Sequence, residues 1–126
     1  MANCSFSSNT YDGRTLTLNI SQEPDTLTNS SALMWELVSD GGSSNYYSIY
    51  ETIVVINGQQ VYHKAYTPST DEVFPAAKGS VSGEITVDHD ENGDASVDVV
   101  FKTAVYTSAE YADYGGTFTL DRITPI

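Results

Sequence analysis

The stretch from Glu84 to Arg122 limits the fold of this chain most strongly, because three strand-like runs follow one another within it. The middle run has a period of two residues, which is typical of a β-strand with one face in a core and the other nearer to water. We predict turns at HDENGD before this run and at Tyr-Gly-Gly after it, and we expect the three runs to pair as the centre of one antiparallel sheet. The two faces of the middle run are Val97, Val99, Phe101, Thr103 and Val105 against Ser96, Asp98, Val100, Lys102 and Ala104.

Two earlier segments alternate in the same way. Thr15 to Glu23 places Leu16, Leu18 and Ile20 on one face, and we expect Pro24-Asp25 to end that strand, because proline cannot donate to a central ladder. Ala32 to Val38 places Leu33, Trp35 and Leu37 on one face, so we predict that Trp35, in the middle of this run, lies in the core.

Asn57-Gly58 is the clearest turn signal in the sequence. It lies between two apolar alternating runs within Tyr46 to Tyr66, and both of its residues tolerate a positive φ, so it predicts a β-hairpin. Thr67 to Gly83 reads as a loop, with one short candidate strand near Val81. Together the runs predict seven or eight strands and no helix, and therefore a single all-β antiparallel β-sandwich.

Length and charge limit the function. A chain of 126 residues has room for one domain, which we divide into an N-terminal arm or edge strand (residues 1–14) and a β-sandwich (residues 15–126). A formal net charge of -12, with basic residues that do not cluster, argues against nucleic acid as a partner. The acidity favours solubility, or attraction to a basic partner or to cations. We expect no signal peptide and no membrane span, and Cys4, the single cysteine, excludes an intramolecular disulfide.

No pattern of residues predicts catalysis. The sequence has no G-x-S-x-G, H-E-x-x-H, Walker loop or CxxC, so we predict that the protein is not an enzyme. We expect His63 to be a half-exposed strand residue and the ring of His89 to hydrogen-bond the backbone of its turn.

The turn itself offers a hypothesis of a metal site. Asp88, Asp90, Asn92 and Asp94 place oxygen atoms at alternate residues, with Gly93 at the sixth position of a calcium loop. The twelfth position, where a bidentate Glu normally closes the shell, is Val99. The alternatives are a weak calcium site completed by other residues, or a β-turn with solvated acids and no cofactor.

Tyrosine is in excess, with nine residues. Tyrosines stack on sugars and anchor protein interfaces, although they are also ordinary strand residues. Tyr46, Tyr47, Tyr111 and Tyr114 are the candidates for an interface or a glycan site, and the last two, which we expect in loops, are the better ones.

The series INGQQVY, GSVSGEITVDHDENGDASVDVVF and YGGTFTLDRI resembles a module of minor structural and tail proteins in tailed phages that infect Gram-positive bacteria. The resemblance spans about Thr15 to Pro125, and Ala95 stands where the family's turn commonly has a lysine. It implies an immunoglobulin-like or jelly-roll sandwich on a virion, with no catalytic residues. The residues that carry it are His89, Asn92, Gly93, Ser96 and Val97, then Gly115, Gly116, Leu120, Ile123 and Pro125.

The resemblance leads to two functional hypotheses. The first is a virion accessory protein, a capsid decoration or tail-surface protein that is made in the host cytoplasm and binds other virion subunits in many copies or as a homo-oligomer. We expect it to use loop tyrosines, an edge strand and the arm Met1 to Ser8, whose deletion (residues 2–8) should weaken attachment and leave the fold intact. The alternative is a module that binds host cell-wall glycans, with or without calcium.

Overall fold

The computed structural model describes residues 2–8, 15–39, 49–65, 79–105 and 112–124, and within these ranges the chain forms β-strands and turns. In chain order the strands are β1 (Asn3–Ser7), β2 (Leu16–Asp25), β3 (Ser30–Ser39), β4 (Ile49–Ile56), β5 (Gln59–Ala65), β6 (Gly79–Asp88), β7 (Ser96–Val105), β8 (Ala112–Asp113) and β9 (Gly116–Thr119).

The strands form two antiparallel sheets. The first sheet has the order β1-β2-β3-β6, and the second has the order β5-β4-β7-β8, with β9 also paired to β7. Asp113 pairs with Lys102 and Gly116 pairs with Val99, so the same register continues through Tyr114 and the residue after it. Because β8 and β9 are thus one interrupted strand, the described residues contain eight strands, and the prediction of an antiparallel β-sandwich is confirmed.

The hydrophobic core lies between the two sheets and takes side chains from both. The alternation predicted for β2, β3 and β7 is confirmed, since their predicted inward residues with described side chains are buried, including Trp35, which is 5% exposed. Among the described residues, the apolar side chains with 0% exposure are Leu16, Leu18, Leu33, Leu37, Val54, Ile56 and Phe101.

The β4–β5 hairpin forms as Asn57-Gly58 predicts. Asn57 has φ 54° and Gly58 has φ 76°, and two consecutive positive φ angles are what a type I′ turn requires. The ladder then shifts: Val54 pairs with Tyr62 and Val55 pairs with Gln60, which leaves Val61 as a bulge.

β2 ends at Asp25, as Pro24-Asp25 predicts, but Pro24 and Asp25 themselves still pair with β3. The backbone amide of Gln22 donates to the carbonyl of Ala2, so alternate amides from Gln22 onward face β1. The nitrogen of Pro24 therefore faces a side of β2 where β1 has already ended, and the missing N–H removes no ladder bond.

The candidate strand near Val81 is confirmed as part of β6, which begins at Gly79 and pairs along its whole length with β3, so the prediction of a loop was wrong for Gly79 to Gly83. Glycine and serine have low strand propensity, and here tertiary pairing overrides it. Gly83 also has a packing role: a Cβ built on it would lie 2.8 Å from the indole of its partner Trp35.

The expectation that the runs on either side of HDENGD pair with each other was wrong. β6 lies in the first sheet and β7 in the second, so this turn crosses between the layers. A tight turn between two alternating runs has the same local sequence whether the strands pair or separate, and the core decides between them.

The N-terminal strand β1 pairs with β2 in its own chain, and its residues Cys4 and Phe6 pack against the core. The division at residue 14 stays a prediction, as does the type of sandwich. The order of the first sheet, β1-β2-β3-β6, differs from the A-B-E-D order of the immunoglobulin constant fold.

Candidate functional site

A groove of about 600 Å³ crosses the outer face of the first sheet, and we call it the outer groove. Its floor is the backbone of the row that runs through Cys4, Ile20, Trp35 and Gly83, whose side chains point the other way. Two outward rows of cross-strand partners form its lining: Asn3, Ser21, Met34 and Glu84, and Ser5, Asn19, Glu36 and Ser82.

Most side chains that project into the outer groove are polar, and two are acidic, although apolar atoms make up the larger part of its lining surface. Its described lining carries two carboxylates, Glu36 and Glu84, and no Lys, Arg or His. Glu36 on β3 and Glu84 on β6 are diagonal neighbours, and the Cα atoms of such a pair are about 7–8 Å apart. Met34 is its exposed apolar side chain, at 42% exposure, so the groove offers hydroxyls, amides, negative charge and one apolar contact.

The floor of the groove is rigid because the core supports it from below. Trp35 lies under Gly83 and meets Tyr62 of the second sheet, with ring centroids 6.3 Å apart. Burial raises the pKa of the Tyr62 phenol above its ordinary value. The groove is therefore built on strands whose inner faces are fixed by packing.

A second polar region is the turn between β6 and β7. One carboxylate oxygen of Asp90 accepts hydrogen bonds from the backbone amides of Asn92 and Asp94, both at 2.9 Å. The backbone amide of Gly93 donates to the carbonyl of Asp90 at 2.9 Å. Asp90 thus holds the turn in shape through its own backbone, as an Asx turn does.

Buried hydrogen bonds connect this turn to the first sheet, and the prediction that the ring of His89 bonds the turn backbone is confirmed. A carbonyl only accepts, so His89 Nδ1 donates to the Gly93 oxygen at 2.7 Å. With a neutral ring, Nε2 then accepts from the Ser31 hydroxyl at 2.8 Å, whose oxygen accepts from Gln22 Nε2 at 2.9 Å. Gln22 is fully buried and also pairs with the backbone of Asp121.

The C-terminal segment fixes the other side of the same turn. The amide of Ile123 donates to the Gly93 carbonyl at 2.9 Å, and Arg122 Nε donates to the carbonyl of Asn92 at 2.7 Å. Gly93 has φ 84°, and a Cβ there would collide with the carbonyl oxygen of Ile123. Only glycine therefore fits this position.

The four residues of the calcium hypothesis lie in or beside this turn, all with exposed side chains. Asp94 Oδ1 lies 3.8 Å from Arg122 Nε, and Asp90 Oδ1 accepts hydrogen bonds from two backbone amides. Within the described part of the chain, no three His, Cys, Asp or Glu side chains are grouped so that they could hold a metal ion. The calcium site on Asp88, Asp90, Asn92 and Asp94 stays a prediction.

Three of the four candidate tyrosines, Tyr46, Tyr47 and Tyr111, lie outside the described residues. Tyr114 is half-buried, and its ring lies 5.9 Å from that of Phe101. The Asp113 carboxylate accepts from the amides of Phe101 and Gly115, and this holds the interruption between β8 and β9 on which Tyr114 sits. The role of Tyr114 in an interface stays a prediction. His63, on β5, has an exposed side chain.

The outer groove was missed by the sequence reasoning. Its side chains are the outward residues of strands that were recognised for their inward residues, and alternation alone shows only that such residues face away from the core. One signal was available in the sequence, namely the size of the outward side chains. On β1 and β2 these are short Ser and Asn side chains, whereas outward strand positions in other proteins often carry long charged ones. Strand order is needed to bring them together.

A comparison with models of known protein families gave no match, and a comparison with curated proteins gave none either. Within the described residues, no helix is long and apolar enough to span a membrane.

Proposed function

We propose that this protein is a non-enzymatic accessory protein of a tailed-phage virion, a capsid decoration or tail-surface protein, and that it binds other virion subunits through the free edge of β1. The observation that carries the proposal is the unprotected backbone of that edge. The sequence pattern of the strands and turns supports the virion setting.

The orientation of β1 follows from two hydrogen bonds at its ends. The carbonyl of Ala2 accepts from the amide of Gln22, and the amide of Ser8 donates to the carbonyl of Leu16. In an antiparallel strand the N–H and C=O of one residue point to the same side, and the side alternates along the strand. Even-numbered residues of β1 therefore face β2, and the backbone groups of Asn3, Ser5 and Ser7 face outward.

Within the ranges that the structure describes, this edge lacks the usual devices that prevent pairing with another chain. β1 has the sequence NCSFS, with no charge and no proline, and among the described strands it pairs only with β2. By contrast, the opposite edge strand of the first sheet, β6, carries Glu84 and Asp88. An uncharged edge with free amides and carbonyls is a template for strand addition by an extended segment of a partner.

The partner that fits is an extended segment of a neighbouring virion subunit, or β1 of a second copy in a homo-oligomer. Five residues of added strand make a small interface, and a particle that displays many equivalent sites compensates for this through multivalency. The excess of acidic residues further favours a subunit with a basic surface.

The test is a proline at an outward-facing amide. Ser5→Pro removes an outward backbone donor and no backbone hydrogen bond to β2. The side-chain bond that it also removes, from the Ser5 hydroxyl to Asn19 Oδ1, lies on the exposed face, so the isolated fold should persist while attachment is lost. The measurement is cosedimentation with phage particles assembled without the protein, and Ser5→Thr is the matched control. Deletion of residues 2–8 is a weaker test, because it also removes Cys4 and Phe6 from the core.

If Ser5→Pro and Ser5→Thr cosediment equally well with particles, edge pairing is not the mode of attachment. If wild-type protein does not bind particles, the virion role itself is wrong.

Glycan binding is the second candidate function, and the outer groove favours it. The volume of the groove lies within the range of known small-ligand sites, and hydroxyl and amide side chains line it. Tyr114 does not add to this, since its ring lies against Phe101, and Tyr46, Tyr47 and Tyr111 lie outside the described residues.

A further inference from the structure

We infer that the outer groove binds a linear oligosaccharide that carries free amino groups, of the glucosamine-oligomer type. The inference rests on glycan binding, the second proposed function, and adds the class of sugar and the residues that select it.

The shape of the groove fits a linear chain that lies across the strands. Adjacent strands are about 4.8 Å apart, so the row Ser5, Asn19, Glu36 and Ser82 presents a polar group at that interval over four strands. The repeat of an extended hexose chain is of similar length. Asn19, Glu36 and Ser82, consecutive on one row, can therefore meet successive sugars, while the Ser5 hydroxyl donates to Asn19 Oδ1.

The lining also matches the two kinds of surface that a sugar has. Serine and asparagine side chains both donate and accept, as sugar hydroxyls do. Met34, 42% exposed on the other row, provides an apolar contact for the C–H face of a sugar ring. Short side chains leave the floor open, so the ligand can approach the backbone of the sheet.

Charge selects among such sugars. Glu36 and Glu84 are exposed in the groove, and no basic side chain occurs in its described lining. With a net charge of -12 for the whole chain, a glycan with uronate or phosphate groups is repelled. An ammonium group on the sugar pairs with either carboxylate, whereas the N-acetylated sugar has no charge to offer.

An extended basic peptide fits the groove less well. A peptide in β conformation advances about 3.3 Å per residue, out of step with the strand spacing, and its backbone seeks a sheet edge rather than a face. Tetralysine is therefore an arm of the test.

The experiment is an NMR titration of the isolated protein with three probes: a glucosamine tetramer, the fully N-acetylated tetramer and tetralysine. We expect the glucosamine tetramer to bind most tightly, with shifts at Asn19, Glu36 and Ser82. Glu36→Gln and Glu84→Gln should each weaken its binding about twofold to fivefold, as expected for an exposed ion pair. Glu23→Gln is the matched control, since Glu23 is exposed on the same face and lies outside the groove.

Four results would overturn the inference. Equal affinity for the two tetramers would remove the role of the amino group and leave glycan binding intact, whereas no binding of either tetramer would remove both. Equal binding of tetralysine would show that charge alone is recognised. An effect of Glu23→Gln equal to that of Glu36→Gln would place the site elsewhere on the face.

Discussion

The backbone of Gly83 lies against the indole ring of Trp35, its cross-strand partner, so closely that a Cβ at position 83 would stand 2.8 Å from the ring. Glycine is unfavourable in most strands, since it adds chain entropy to the unfolded state and no packing. Here its lack of a side chain gives Trp35 the space to fill the core beneath the outer groove.

Gly83→Ala should therefore destabilise the protein by about 1–3 kcal/mol, because overpacking against a rigid indole exceeds the entropic gain of about 0.4–1 kcal/mol. Urea unfolding followed by circular dichroism measures this free energy. Ser82→Ala, on the exposed side of the same strand, should change stability by less than about 0.5 kcal/mol. A stabilised Gly83→Ala variant would show that the ring moves freely.

Ser31→Ala should destabilise the protein by about 1–3 kcal/mol, because it leaves the buried Nε2 of His89 without its hydrogen-bond partner and removes one of the two acceptors of Gln22 Nε2, which keeps only the Asp121 carbonyl. The free energy of unfolding by urea is again the measurement. Ser21→Ala serves as control, since Ser21 is exposed on β2. Equal stability of the two variants would mean that the buried network contributes nothing.

Asp90→Ala should cost about 1 kcal/mol of stability even in the presence of a chelator, because the backbone amides of Asn92 and Asp94 lose their acceptor. Glu91→Ala, in the same turn and with the same change of charge, should cost less. Since the Asp90 carboxylate already holds the turn, we expect millimolar calcium to leave the melting temperature unchanged. A rise with calcium that Asp90→Ala abolishes would instead support the calcium site.

The Cys4 thiol should react slowly with alkylating reagents near neutral pH. Burial against the core raises the pKa of this thiol above its ordinary value, and the thiolate is the reactive form. The pH profile of alkylation should have its midpoint above that of the urea-unfolded chain. Because the folded pKa is the higher one, any stability from this group is complete below the unfolded pKa and declines as pH rises through the folded one. Coincident profiles would show that β1 opens freely.

Local signals in the sequence predicted the parts of the fold that local physics determines. Leu16, Leu18 and Ile20 alternate because one face of β2 is buried, and Asn57-Gly58 forms a turn because both residues accept positive φ. The class of fold followed from these signals.

The remaining features depend on which strands become neighbours. Gly79 to Gly83 forms strand only because β3 pairs with it, and HDENGD crosses between sheets only because two core faces must meet. The outer groove is of the same kind: Asn19 and Ser82 belong to strands 2 and 6 and come together through β3, which no local pattern encodes. The hydrogen bond from His89 to the turn backbone was predicted from the sequence. The hydrogen bond between His89 and Ser31 was not, because only the fold brings β3 next to this turn.

Trp35 belongs to the first sheet and meets Tyr62 of the second, and the chain has a single tryptophan. The emission of one indole thus reports whether the two layers are in contact. Trp35 should emit at shorter wavelength when the two sheets are packed together and at longer wavelength when they separate. Folding and the opening of the two layers can therefore be followed in the unlabelled protein.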